Sequence, residues 1–374
     1  MPASLLPSRR QVLLSGAALV TAPAFAASPV ALSALDDFAI VRSSGRWWLV
    51  GELLAAHPGG GTIELRGLHA FGPGAAAPRL LTLTPAELQA AGALPRGKPL
   101  ERAALAGGES ATLYLWHALT GDDSPPPALR LELATDAGTA ALDVAVQPPI
   151  ALRPPLRGGP WVAVYDPAFP FGHRRSAFER DGRRFIPARF AIDWIRLDER
   201  GRAAPDSEQA RFDRWHGLGH EVLAVADATV VAVRNDRDDV LDAPRPATRW
   251  SPEDVAGNYV CLEAGAGRFV FYEHLLRGSV SVAAGQSVKA GQVIALVGRS
   301  GVNSSGPHLH FHVAAGPSLL HAQGRPWGLG GFRVLGSYTS MDEAESGRPW
   351  RPVDAAAESR SALPPPNAVL QFPA

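Results

Sequence analysis

The chain has 374 residues, 36 Lys and Arg against 36 Asp and Glu, a formal net charge of zero and 46% hydrophobic residues. Balanced charge without a basic stripe excludes a nucleic-acid-binding face, and a single cysteine, Cys261, excludes internal disulfides. No stretch is long and apolar enough to span a membrane as a helix.

Residues 1–27 read as an export signal. Ser8-Arg9-Arg10-Gln11-Val12-Leu13-Leu14 is a twin-arginine pattern, an alanine-rich apolar stretch follows, and Ala24-Phe25-Ala26 offers a small-x-small cleavage site. The apolar run is broken by Ser15, Gly16, Thr21 and Pro23. A plain secretory signal with two chance arginines is the alternative. Either one makes the expected location periplasmic or otherwise exported, and no cysteine follows the run to carry a lipid anchor.

Removing the signal leaves roughly 345 residues, enough for two domains. The first is expected over 38–149 as a β-sandwich-like accessory unit. Short apolar runs recur there between Gly and Pro clusters: Trp47-Trp48-Leu49-Val50, Thr62-Ile63-Glu64-Leu65, Thr112-Leu113-Tyr114-Leu115-Trp116 and Ala128-Leu129-Arg130-Leu131-Glu132-Leu133. In the last run, Leu129, Leu131 and Leu133 alternate with outward Arg130 and Glu132, the mark of a half-buried strand. Pro85-Ala86-Glu87-Leu88-Gln89-Ala90-Ala91 allows one or two helical turns. His57, His69 and His117 are scattered without ligand spacing, and Trp47, Trp48 and Trp116 suit packing better than sugar stacking. This unit is expected to position, or to contact substrate or a partner, and to supply no catalytic residue. A fragment starting near Pro160 is therefore expected to keep its metal.

Pro148-Pro149 and Pro154-Pro155 mark a linker, and a second domain is expected over 160–345. Ala191-Ile192-Asp193-Trp194 reads as a strand with Ile192 and Trp194 inward and Asp193 on the other face. Two strands are expected around Asp227-Ala228, a hairpin across Gly265-Ala266-Gly267, and another strand over Val293-Ile294-Ala295-Leu296-Val297. Helical periodicity is lacking, so the fold class is all-β, mainly antiparallel. The 235–252 insertion, with Asp236, Asp238, Asp239 and Asp242, is either a groove wall or a solvated excursion. Residues 355–374, rich in Pro and Ala, read as a loosely held tail.

The most informative run is Pro307-His308-Leu309-His310-Phe311-His312-Val313. On a strand, the three histidines share one face and Leu309, Phe311 and Val313 the other. Imidazoles set side by side on a rigid strand suit metal binding and acid–base work. The alternative is a partly exposed strand with incidental histidines.

Residues 161–336 resemble the lysostaphin-like, or LytM-like, zinc metallopeptidases that cut peptides in bacterial cell-wall peptidoglycan. The resemblance rests on His173 with a later Asp193, Gly257-Asn258-Tyr259-Val260, Tyr272-Glu273-His274-Leu275, the turn and strand over 288–297, and Gly306-Pro307-His308-Leu309-His310-Phe311. It implies a LytM-like mixed or antiparallel sheet with one Zn²⁺ per chain, held by His173, Asp193 and His310, and with His274 and His308 flanking the attacking water as catalytic residues. It also implies peptidoglycan peptides as substrate, with another cell-wall enzyme as a conceivable partner. The departure is the spacing: His173 and Asp193 stand twenty positions apart instead of close together, a separation that adds little closure entropy. His312 falls about 7 Å beyond His310 along a strand, which suits a supporting or groove role. A non-catalytic, wall-binding or hydrolase-activating relative, and an exported protease with a protein substrate, are the alternative functions.

Overall fold

The computed structural model describes residues 29–74, 77–121, 124–205, 211–241, 254–301, 306–353, 358–359 and 361–374. The proposed signal at 1–27 lies outside them. Among the described residues, no helix is long and apolar enough to cross a membrane.

Two large sheets organise the chain, one of ten strands and one of eleven. In the first, Phe38–Ser43 turns through Ser44 and Gly45, both at positive φ, into Arg46–Ala56. Arg46–Ala56 then pairs along its length with Ser110–Ala118. Thr62–Phe71 and Gly138–Gln147 flank Ala128–Thr135. The sheet folds back on itself, so Phe38, Ile40, Leu49 and Leu53 share a core with Ile63, Leu65, Leu68, Leu129, Leu131 and Leu133. The leucine alternation is as expected: all three leucines are buried while Arg130 is exposed. The short helix is Pro85–Ala91, closed at its start by a capping box between Thr84 and Glu87.

The second sheet runs, at its centre, Asn258–Glu263, Phe269–Leu275, Leu309–Ala314, Ile192–Arg196, Trp161–Val164 and Ala368–Gln371. The Asn258–Glu263 and Phe269–Leu275 hairpin turns through Gly265 and Gly267, both at positive φ. Leu309, Phe311, Val313, Ile192, Trp194 and Tyr272 lie in one buried cluster. The fold is therefore all-β and mainly antiparallel, with two short α-helices among the described residues.

Two segments differ from the sequence reading. The proline-flanked linker contains a strand, Ile150–Leu152, that pairs in parallel with Trp327–Leu329. The supposed tail is the larger correction. Ala368–Gln371 sits inside the second sheet, between Trp161–Val164 and Phe332–Ser337, and Val369, Leu370 and Phe372 are buried. Composition averaged over 355–374 hid a terminal run, Ala368-Val369-Leu370-Gln371-Phe372, whose apolar area is enough to hold a central strand in place.

Candidate metal centre

The Ile192–Arg196 and Leu309–Ala314 strands are neighbours in register, which places Asp193 opposite His310. Oδ1 of Asp193 lies 2.8 Å from His310 Nδ1, and Oδ2 lies 3.3 Å from His173 Nε2. His173 arrives on a one-turn 3₁₀ segment, His173–Arg175, and its ring stands edge-on to that of His310 at 4.7 Å. One donor atom from each of His173, Asp193 and His310 lies within 4.8 Å of the other two. Two imidazole nitrogens and a carboxylate at this separation fit a divalent cation with a further position open to solvent.

His308 and His274 border this group. His308 Nε2 is 3.5 Å from Asp193 Oδ1, and the two rings are 4.9 Å apart. Each has its Nδ1 2.9 Å from a backbone carbonyl, Gly306 for His308 and Ser300 for His274. A carbonyl only accepts, so Nδ1 carries the proton and Nε2 is the acceptor atom in the neutral ring. Gly257 makes room for this support: a Cβ there would lie 2.4 Å from the Gly301 nitrogen and from the Ser300 carbonyl carbon.

A plain strand would point Glu273 and His274 in opposite directions. His274 instead has φ 61°, in the left-handed region, which ends the alternation. Glu273 pairs across the sheet with His310, while the His274 ring also comes within 5.9 Å of His310. Strained backbone of this kind persists where its surroundings over-determine it.

The charges are strongly coupled. Burial pushes the Asp193 pKa up, but His173 and His308 outweigh it and hold the carboxyl well below its usual range. Burial pulls His173 and His308 down, yet the Asp193 charge leaves both raised. His274 is held well below its ordinary value by burial, then by His308 and His310. It is a neutral imidazole through the neutral pH range.

Sequence reasoning missed three features. Glu273 is buried, and with His310 and His312 it forms a second group whose ligand atoms lie within 4.8 Å of one another. Trp116, from the first sheet, lines a cleft of about 200 Å³ with Phe169, Phe171, His173 and Asp193. Arg174, next to His173, is buried against the first sheet. The alternation around Tyr272-Glu273 could have flagged Glu273; nothing local signals the other two.

His312 is buried, which removes a groove role. It stacks on Phe271 at 4.8 Å, its Nδ1 is 3.4 Å from Glu273 without hydrogen-bonding geometry, and neither ring nitrogen has a hydrogen-bond partner among the described residues. His220 packs edge-on against Trp161, and His321 against Phe185; among the described residues, neither these nor His216 belongs to a ligand-competent group. Burial pushes the Cys261 thiol up to about 12, which leaves it inert. Of the expected tight loop before the histidine strand, Asn303, Ser304 and Ser305 lie outside the described residues. So does most of the 235–252 insertion, including Asp242. In its described part, Asp239 accepts from the backbone N–H groups of Arg277 and Arg299, while Asp236, Arg237 and Asp238 are exposed, so that part is a solvated excursion anchored at Asp239.

Residues 216–320 match the family model described as peptidase family M23. An uncharacterized metalloprotease of Haemophilus influenzae is 38% identical over 90 residues, which is 24% of this chain and only 17% of the relative's length. Among solved structures, a mutant catalytic domain of the prophage-encoded M23 protein EnpA from Enterococcus faecalis is 20% identical, covering 46% of this chain and 92% of that one at a TM-score of 0.27. The catalytic domain of the antimicrobial peptidase lysostaphin from Staphylococcus simulans is 19% identical, covering 45% and 88% at 0.24. The matched segment contains His274, His308 and His310; His173 and Asp193 precede it and join them only through the fold. The segment match and the His/Asp/His group support membership of the M23 peptidase superfamily.

Proposed function

We propose that the chain is a zinc-dependent endopeptidase that hydrolyses peptide bonds in peptidoglycan stem or cross-link peptides after export across the bacterial inner membrane. One observation carries the reading. His173, Asp193 and His310 converge at metal-binding distance while His308 and His274, their Nδ1–H groups tied to carbonyls, border the same group with Nε2 left as the acceptor. Zinc held by the three ligands would supply a Lewis acid that acidifies a water and polarises the scissile carbonyl.

The chain's own groups divide the proton work. With a cation held on Asp193, that carboxylate would no longer raise the His308 pKa, and His308 Nε2 could accept the attacking water's proton and return it to the leaving nitrogen. His274, neutral and with its only N–H committed to Ser300, can orient that water by accepting from it. It has no second donor for an oxyanion. The cleft beside His173 supplies Trp116, Phe169 and Phe171 as apolar contacts for a bound peptide. The twin-arginine sequence supports export, and the peptidoglycan substrate is inferred from the family resemblance.

The test is zinc-dependent release of peptides from purified peptidoglycan, measured beside an unfolded protein substrate. Zinc-dependent cleavage of the wall alone supports the proposal. Cleavage of protein alone would favour an exported protease, and a zinc-loaded chain inert toward both would favour the non-catalytic alternative.

A further inference from the structure

The nineteen residues between His173 and Asp193 carry part of the contact between the two sheets, which also share a core through Ala39, Val41 and Val50. Arg174 follows His173 directly, yet its side chain is 4% exposed and enters the first sheet. Its Nη2 donates to the Gly51 carbonyl at 3.1 Å, to Glu52 Oε1 at 3.2 Å and to the Leu115 carbonyl at 2.5 Å. Arg189, four positions before Asp193, is 3% exposed; its Nη2 lies 2.6 Å from Glu52 Oε2. The Glu52 carboxylate, fully buried on the Arg46–Ala56 strand, therefore stands between two guanidinium groups, one from the residue after His173 and one from four residues before Asp193.

Three further side chains of the segment reach the same sheet. Arg184 Nη1 donates to Thr112 Oγ1 at 3.1 Å, Arg175 covers the Tyr114 ring at 4.9 Å, and Ile186 packs with Ala93 and Tyr114. The return to the metal group is short. Only Phe190, Ala191 and Ile192, all buried, separate Arg189 from Asp193. A long excursion closes at little entropic cost, but closure alone does not fix where its ends point. Partners behind metal ligands fix ligand orientation, and their loss typically weakens metal binding about 10–100-fold.

We propose that Glu52 is a positioning residue of the metal centre. Through Arg174 and Arg189 the first sheet sets His173 and Asp193 at metal-binding distance, so the N-terminal unit is a structural half of the site. This rests on the reading of His173, Asp193 and His310 as zinc ligands. It also reverses the expectation that a fragment starting near Pro160 keeps its metal.

The test uses the full chain. Glu52→Gln removes the charge, leaving the buried Arg174 without its carboxylate and Arg189 with Asp36 alone, so it can also impair folding. The triple variant Glu52→Leu, Arg174→Met, Arg189→Met replaces Glu52 and its two guanidinium partners with apolar side chains of similar size, a change that stability tolerates, and leaves Asp36, which also contacts Arg189, paired with Arg325. Zinc affinity is measured by chelator competition, with melting of the metal-free forms in parallel. The triple variant is expected to melt near the wild type and yet bind zinc roughly 10–100-fold more weakly, with turnover recovering at saturating zinc. A folded variant that binds zinc within about twofold of the wild type overturns the proposal and leaves the zinc-peptidase reading standing. A wild-type chain that binds no zinc removes both.

Discussion

Asp193 and His310 face each other directly across two antiparallel strands, with 2.8 Å between Oδ1 and Nδ1. The sheet's backbone ladder fixes this pair, whereas His173 is delivered by a turn outside the sheet. Replacing His173, Asp193 or His310 with Ala should in each case weaken zinc binding by about 100-fold or more, beyond the range seen for outer-shell partners. Anomalous scattering from a zinc-loaded crystal checks the set. An ion more than about 3 Å from any of the three side chains removes that residue from it.

His308→Ala and His274→Ala should each lower peptide hydrolysis by roughly 10²-fold or more while zinc stays bound, the usual size of a general-base contribution. The motive is their shared geometry, a carbonyl behind Nδ1 and an acceptor Nε2 in front. Purified, zinc-loaded variants turning over at near wild-type rate would sink the assignment.

The charge of Asp193 gives the metal-free site a definite pH response. Burial lowers the His173 pKa and Asp193 raises it, with the net direction upward from 6.5. A raised folded value stabilises the metal-free fold below pH 6.5, and that contribution is lost as pH rises through the raised value. Zinc needs the neutral ring, so its affinity runs the other way and falls as pH drops through the same value. The fall should begin above pH 6.5, and in Asp193→Asn it should begin at lower pH. Chelator competition across about pH 5.5 to 8.5 spans the ordinary histidine range. A flat profile above 6.5 contradicts the coupling.

Phe171 is 82% exposed on the rim of the cleft that His173 and Asp193 line. An exposed aromatic ring there has no packing duty beyond its edge contact with Phe169. Phe171→Ala should raise KM several-fold with kcat nearly unchanged, the pattern of lost uniform binding. Equal losses in kcat and kcat/KM would place the ring in the transition state instead.

The last residues should matter for stability. Phe372 is 2% exposed and packs edge-on against Trp194, next to Asp193, at 5.3 Å. Phe372→Ala should cost about 3–5 kcal/mol in chemical denaturation, as for other buried aromatics. A loss under about 1 kcal/mol would mean the final strand contributes little.

The histidine strand was legible because alternation in a strand is a local property: His308, Leu309, His310 and Phe311 declare their faces by position alone. The same holds for Asp193 between buried Ile192 and Trp194, and for the leucines at 129, 131 and 133. These runs determine the all-β class and the faces of His308, His310 and Asp193 without reference to the rest of the chain, whereas the ligand set, His173 above all, follows from the family resemblance. Composition served less well at the C-terminus, where proline and alanine outweighed a five-residue apolar run that occupies a central position in the sheet.

What only the tertiary structure decided lies in contacts between distant residues. The pairing of Asp193 with His310, 117 positions apart, comes from which strands become neighbours, and strand order is not written in any single run. The left-handed backbone of His274 decides that it reaches the site alongside Glu273, against the alternation its neighbours predict. The twenty-residue gap after His173 looked like a weakness of the metal site. It is instead the surface on which a buried carboxylate from another sheet meets Arg174 and Arg189. A charge can be buried only with its partners in place, and those partners exist only once both sheets have formed.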